Sequence, residues 1–360
     1  MKGFLVLETK EVYEGISILG GSAVGEVVFN TSHSGYEEIA TDPSYMNQIV
    51  VMTAPMQGNY GAHKEVWESR RVWIEGFICV QVQQSTREST WIKRLQENKV
   101  PLIAEIDTRK LVMRLREGGT PWGAMVEAAT PEQALEKGLK LISEKLHSEK
   151  DWVHLASRKE TEKRVGEQMI GPRLAVLDFG SKENILRLLQ KYSSEVTVFP
   201  ARTPASVIKD YNPDGIVLTN GPGDPADAKV SIENVTQLLG YKPIYGICMG
   251  HQILALAMGA KTYKLRFGHR GSNHPIKDDL LGKIYMSSQN HGYAVNPETL
   301  PKDVKVTQTN LNDKTCAGFY SKGQKALGIQ YHPESSPGPH DAENLFKYFI
   351  DEMILRGSND

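Results

Sequence analysis

The stretch that most constrains this chain is Gly246-Ile247-Cys248-Met249-Gly250-His251-Gln252. An apolar pair, Ile244 and Tyr245, leads into it, and a helix-like run from Ile253 to Met258 leads out. A Gly-x-Cys-x-Gly turn between a strand and a helix has the form of a nucleophile elbow, which pushes the side chain between the glycines out at the strand end. The start of a helix also favours a thiolate, because unpaired N–H groups and the positive end of the dipole face it. The chemistry expected of Cys248 is therefore thiol nucleophilic attack. The alternative is a buried structural cysteine, a common fate of free thiols.

Composition sets the surroundings of that turn. A length of 360 residues predicts two domains, each with its own core. A net charge of -1 gives no electrostatic reason to expect a nucleic-acid or anionic-membrane partner, and neither is expected. Cys79, Cys248 and Cys316 are few, odd in number and far apart, which suits a reducing compartment. They fit neither a disulfide framework nor a zinc cluster, so no metal is expected. Phe4 to Leu7 is too short an apolar run for a signal peptide, and no stretch is long and apolar enough to span a bilayer. The expected location is cytoplasmic.

Along the chain, FLVLE, GISILGG and GEVVFN in the first 30 residues read as strands punctuated by glycine. Thr41-Asp42-Pro43-Ser44 reads as a turn before the apolar run Gln48 to Met52, and on that pattern alone Ser44 faces solvent. Helices are predicted over Thr90–Glu97 and Thr108–Glu117. A clearer one starts at Thr130-Pro131-Glu132-Gln133, which supplies a cap, a first-turn proline and a capping-box Gln, and runs to about Leu146. The charged stretch 156–171 reads as a linker, with a short exposed helix as the alternative.

From Pro172 onward the pattern alternates. Strands are predicted at Leu174–Phe179, Val196–Phe199, Gly215–Leu218 and Ile244–Ile247, with helices at Ser181–Gln190 and Val230–Leu239 between them. This is the signature of an α/β unit with a mainly parallel sheet, where reactive groups collect at the carboxyl ends of the strands. Later strands are predicted at Val304–Thr307, Cys316–Tyr320 and Leu327–Gln330, and a last helix capped by Asp341 runs to about Leu355. The expected division is an N-terminal β-rich α+β domain (1–155), a linker (156–171) and an α/β domain (172–360).

Three further segments belong near Cys248. Thr219 to Pro225 follows a strand and lacks the lysine and hydroxyl of a phosphate loop. Gly221, with the Met249 N–H just past the nucleophile, is assigned as an oxyanion donor, with an ordinary Gly/Pro turn as the alternative. His332 closes a predicted strand and precedes Pro333, so extended geometry turns His332 and Glu334 to one side, as base and orienting acid. His251 reads as a packing residue. Asn290-His291-Gly292-Tyr293 reads as a loop able to hold the polar ends of a small zwitterion, or as a plain turn.

GICMGHQ, NGPGDP and HPE together resemble the class I, triad-type glutamine amidotransferases, over Pro172 to about Leu355. The rest is similar to the small-subunit family of carbamoyl-phosphate synthetase. The carriers are FNTSHSGYEEIATDPSYMNQIV, GNYG and IDTRKL in the first half, then FGHRGSNHPIKD, QNHGYAV and HPESSPGPHD. The resemblance implies a Cys248-His332-Glu334 triad that hydrolyses glutamine. Ser44, Gly221, Gly223, Met249, Gln252, Asn290, Gly292 and Tyr293 would hold the substrate. Met249 and Tyr293 stand where the familiar form has Leu and Phe, at positions thought to act largely through the backbone. Ser44 would bring an N-terminal residue to the glutamine site. The family also implies a large synthetase subunit as partner, in a heterodimer or a higher assembly. That subunit would bind ATP and magnesium and make carbamoyl phosphate for arginine or pyrimidine synthesis, and this chain would need no cofactor of its own.

Overall fold

The computed structural model describes residues 1–145 and 150–357. The chain divides into two units, Met1–Glu149 and Lys150–Asp360. In the first, strands close a barrel in the order Lys2–Leu7, Val12–Leu19, Leu102–Ala104, Gly76–Ile78, Gln48–Met52, Ala23–Asn30, Trp122–Glu127. Closure removes the unpaired edges that short strands would otherwise expose. The helix Pro131–Lys145 buries Ala134 and Ile142 against Phe4, Val6, Ala124 and Val126 of the barrel. Thr130 caps it by accepting from the Gln133 N–H at 3.3 Å. Its expected end near Leu146 lies outside the described residues.

Ser44 belongs to this unit. It sits in a short 3-10 turn, Pro43–Tyr45, held by a 2.9 Å bond from its N–H to Asp42 Oδ1. Contrary to the turn pattern read alone, it is buried, because the strand that follows it is buried along its length.

The second unit is built on one ten-stranded sheet. Glu195–Pro200, Arg173–Asp178, Gly215–Leu218, Ile244–Ile247 and Ala326–Ile329 lie side by side and parallel. The sheet continues antiparallel through Cys316–Ser321, Lys305–Asn310, Thr262–Asp278 and Lys283–Val295. The middle positions of the parallel strands are buried and mostly apolar because helices cover both faces. Glu183–Lys191 and the C-terminal helical segment pack one side through Ile185, Leu189, Phe346 and Phe349. Ala205–Tyr211, Lys229–Thr236 and Met249–Ala257 cover the other through Ile208, Val235, Ile253 and Leu254.

Three sequence expectations change here. The stretch 156–171 is not a free linker: Glu162–Val165 pairs antiparallel with Glu195–Pro200 as the edge strand. Its charges are used in ion pairs, Arg158 with Asp178 at 3.0 Å and Arg164 with Glu183 at 2.7 Å. Charged side chains are usual on an exposed edge and hide its strand character from a pattern search. Asn290 to Tyr293 lies inside the strand Lys283–Val295 rather than on a loop. The last helix begins at Asn344, after Glu343 rather than Asp341, and widens into a π-helix over Phe349–Arg356. Among the described residues no helix is long and apolar enough to cross a membrane.

Candidate active site

Register decides what meets at the carboxyl edge of the parallel strands. Leu218 pairs with Gly246, and Ile247 with Ile329, so Thr219, Cys248 and Gln330 leave the sheet beside one another. Cys248 turns there with φ 52° and ψ -100°. Such a conformation costs a non-glycine residue about 1–3 kcal/mol and persists only where its surroundings enforce it. They do: the Cys248 N–H is held by Ile329 O at 2.8 Å, and the Gly250 N–H by Thr219 O at 2.9 Å. Both flanking glycines are required by close approach. A Cβ at Gly246 would lie 2.6 Å from Gly250 O, and one at Gly250 only 2.2 Å from Leu218 O.

His332 is brought alongside by a bridge to the neighbouring strand, its N–H bonding Ser288 O at 2.9 Å. Its Nδ1 lies 2.6 Å from Glu334 Oε1. Among the described residues its Nε2 has no partner in hydrogen-bonding geometry, yet the Cys248 sulfur is close enough to act on the ring. Burial works against the imidazolium, but the charges of Glu334 and Cys248 outweigh it and raise His332 to about 10. Glu334 moves the other way. Against the upward push of burial, Lys182 and then His332 hold its carboxyl down to about 2.

Three of the glutamine-holding residues expected in this unit, Asn290, Gln252 and Tyr293, are tied to the same sulfur by hydrogen bonds. Asn290 O is 3.6 Å from Cys248 Sγ. Gln252, one turn into the elbow helix, donates from Nε2 to Tyr293 O at 2.7 Å and to Gln330 Oε1 at 3.0 Å. Gln330 Nε2 stands 3.8 Å from Cys248 Sγ. Gly221 is buried and Gly223 half-buried, the latter with φ 92°. Their loop is fixed through Asn220, whose Oδ1 accepts from the Lys182 N–H at 3.1 Å. Met249 opens the elbow helix, a position whose N–H has no intrahelical acceptor. Ser44 is in the first unit, as described above. His251 is fully buried against Phe319, with ring centroids 4.8 Å apart, and burial pushes it down to about 3, so it is a neutral packing group.

Lys182 was not among the residues singled out from sequence. Its Nζ lies 3.0 Å from Glu334 Oε1 and also bonds Ser335 O. Asn184, two residues on, donates to Glu334 O. The available signal was position: Gly180-Ser181-Lys182 follows the carboxyl end of the first parallel strand, where functional groups gather. Gln330 was missed because it reads as the last residue of a strand.

Two family descriptions match the chain: "Carbamoyl-phosphate synthase small chain, CPSase domain" over residues 5–125, and "Glutamine amidotransferase class-I" over residues 175–352. The carbamoyl phosphate synthase small chain of Caldanaerobacter subterraneus subsp. tengcongensis is 42% identical over 361 residues, covering 99% of this chain and 97% of that protein. That of Archaeoglobus fulgidus is 41% identical over 360 residues, covering 98% and 99%. The chloroplastic small chain of Oryza sativa subsp. japonica is 42% identical over 364 residues, covering 97% and 81%.

Proposed function

The chain belongs to the carbamoyl phosphate synthase small-chain family, and from that premise we propose that it hydrolyses glutamine at Cys248 and delivers the ammonia to a large synthetase chain. The observation that carries the reading is the buried His332–Glu334 pair, 2.6 Å apart, beside a cysteine on a strained elbow.

The Cys248 thiolate attacks the side-chain amide carbonyl of glutamine. The developing oxyanion is held by the N–H groups of Gly221 and Met249. The His332 imidazolium, kept protonated by Glu334, gives its proton to the leaving nitrogen, so ammonia departs and a glutamyl thioester remains. Water then attacks the thioester, losing its proton to the same imidazole, and glutamate leaves. Gln252, Asn290, Gly292, Tyr293 and Gly223 complete the substrate-holding set in the second unit. ATP and magnesium belong to the large chain, since this one carries no Walker-type loop. Ammonia is mostly ammonium near neutral pH and then no nucleophile, which gives a chemical reason for a sheltered transfer between the chains.

The test is reconstitution with a carbamoyl phosphate synthase large chain. The complex is expected to make carbamoyl phosphate from glutamine as well as from ammonia, whereas the large chain alone uses ammonia only. A complex that forms but gains no glutamine-dependent synthesis refutes the reading.

A further inference from the structure

A polar cluster on the antiparallel side of the second sheet has no part in the steps above. His269, in Thr262–Asp278, pairs directly with His291, in Lys283–Val295. Asp313 lies in the turn between Lys305–Asn310 and Cys316–Ser321. Both histidines are buried, while Asp313 reaches solvent.

Hydrogen-bond distances tie the cluster together. His291 Nδ1 lies 2.7 Å from Tyr293 O, and a carbonyl only accepts, so Nδ1 carries the proton. Burial and then the nearby His269 hold His291 well below the usual histidine range, which keeps the ring neutral and makes Nε2 an acceptor. His269 Nδ1 faces two acceptors, Gln289 Oε1 at 3.1 Å and His291 Nε2 at 3.2 Å. The Gln289 amide is oriented by its other end: Nε2 donates to Ser287 Oγ at 3.2 Å, and that hydroxyl donates to His274 O at 2.9 Å. His291 Nε2 and Gln289 Oε1 are also 2.9 Å apart, so the three side chains close one hydrogen-bonded triangle. Asn310 Nδ2 stands farther off, at 3.4 Å from the same nitrogen.

The opposite nitrogen, His269 Nε2, is 2.7 Å from Asp313 Oδ2 and donates there. The ring is thereby held at both nitrogens, by Asp313 at Nε2 and by the Gln289–His291 side at Nδ1. Against burial, the bond and charge of His269 hold the Asp313 carboxyl down to about 2. The other oxygen, Oδ1, is fixed by the Thr315 N–H at 3.1 Å and hydroxyl at 2.8 Å. His274, its ring 5.2 Å from that of His269, is pushed down to about 4 by burial and then by its neighbour His269.

The network leads to the nucleophile. Tyr293 O receives His291 Nδ1–H and Gln252 Nε2–H, and Gln252 also bonds Gln330, which approaches the Cys248 sulfur. We propose that His269 and Asp313 are positioning residues for glutamine hydrolysis: the Asp313-paired His269 ring holds His291 in its Nδ1–H tautomer, and His291 thereby fixes the Tyr293 carbonyl and the Asn290–Tyr293 segment. The proposal rests on the reading that this segment holds glutamine. Removing the pair frees the His291 ring to turn, so substrate is held less well while the triad itself is untouched.

The test compares Asp313→Asn, Asp313→Glu and His269→Gln in the complex with a large chain. Asp313→Asn and His269→Gln are expected to raise KM for glutamine about tenfold, the scale of one lost buried hydrogen bond. Their kcat is expected to stay within about threefold of the parent, a loss of binding rather than of chemistry. Ammonia-driven synthesis stays at the parent level, and Asp313→Glu recovers most of the KM. An unchanged KM in both variants, or a fall in kcat with KM constant, overturns the proposal. If Asp313→Asn no longer melts cooperatively, His269→Gln alone decides by the same split. Ring-nitrogen NMR of His291 gives a readout independent of glutamine turnover. Loss of the Nδ1–H tautomer in Asp313→Asn supports the proposal even if the parent proves inactive on glutamine, and its retention contradicts it.

Discussion

Lys182 Nζ lies 3.0 Å from Glu334 Oε1, with the two side chains 2% and 0% exposed. The same carboxylate oxygen receives His332 Nδ1, so one buried anion is shared by two cations. Without Lys182, Glu334 would face the desolvation cost of its charge with the imidazole as its remaining ion partner. Lys182→Gln is therefore expected to lower the unfolding free energy by about 3–5 kcal/mol, the usual result of removing one member of a buried pair. It should also reduce kcat for glutamine hydrolysis, because an acid that protonates more readily holds the imidazolium less firmly. Denaturant titration and initial rates check both, and an unchanged unfolding free energy contradicts this role.

Gly250→Ala tests the elbow itself. The added methyl would fall 2.2 Å from Leu218 O, a backbone atom in the central sheet that cannot swing aside. Overpacking of this kind costs about 1–3 kcal/mol or more. A matching loss of stability and a collapse of glutaminase rate are expected, since helix and strand must move apart and Cys248 is re-aimed. Calorimetry with an activity assay checks this.

Gly292→Ala separates folding from binding. The nearest group to an added methyl is Arg270 Nη2 at 3.4 Å, an ordinary contact, and Gly292 has no positive φ. The fold does not require glycine here, so melting should be unchanged. If the segment holds substrate by close backbone approach, KM for glutamine should rise several-fold, roughly the scale of 1 kcal/mol. Unchanged KM removes Gly292 from the substrate-holding set.

The charges of the buried His332–Glu334 pair set a pH dependence whose sign follows from their directions. His332 is raised from 6.5 to about 10, so the stability it contributes is complete below about pH 6.5 and is lost as pH rises through about 10. Glu334 is lowered from 4.5 to about 2, so its contribution is present above about pH 4.5 and is lost as pH falls through about 2. The difference in unfolding free energy between the parent and His332→Gln should accordingly move against the parent between pH 7 and 10, and change little between pH 5 and 6. A constant difference across the alkaline range contradicts the raised His332.

Much of the site was legible because its signals are local. Two glycines around Cys248 encode a close strand–helix crossing, and Pro333 forces the geometry that turns His332 and Glu334 together. Lys182, Gln330 and the His269–Asp313 pair were not legible, because their partners lie far away in sequence. Lys182 meets Glu334 across 152 residues of chain, through a sheet order that no residue pattern encodes. The edge strand Glu162–Val165 was masked by its charges, and Asn290–Tyr293 by polar residues that in the structure sit inside a long strand. Ser44 shows the same limit on a small scale, since Asp42-Pro43-Ser44 reads as an exposed turn but is buried.

The most direct measurement is glutamate release by Cys248→Ser beside the parent, each in complex with the large chain, with ammonia-driven carbamoyl phosphate synthesis followed in the same preparations. The account predicts that the serine variant loses glutamate release and glutamine-driven synthesis while ammonia-driven synthesis stays at the parent rate. Glutamine-driven synthesis that survives in Cys248→Ser would show that Cys248 is not the nucleophile, and the account would fail at its centre.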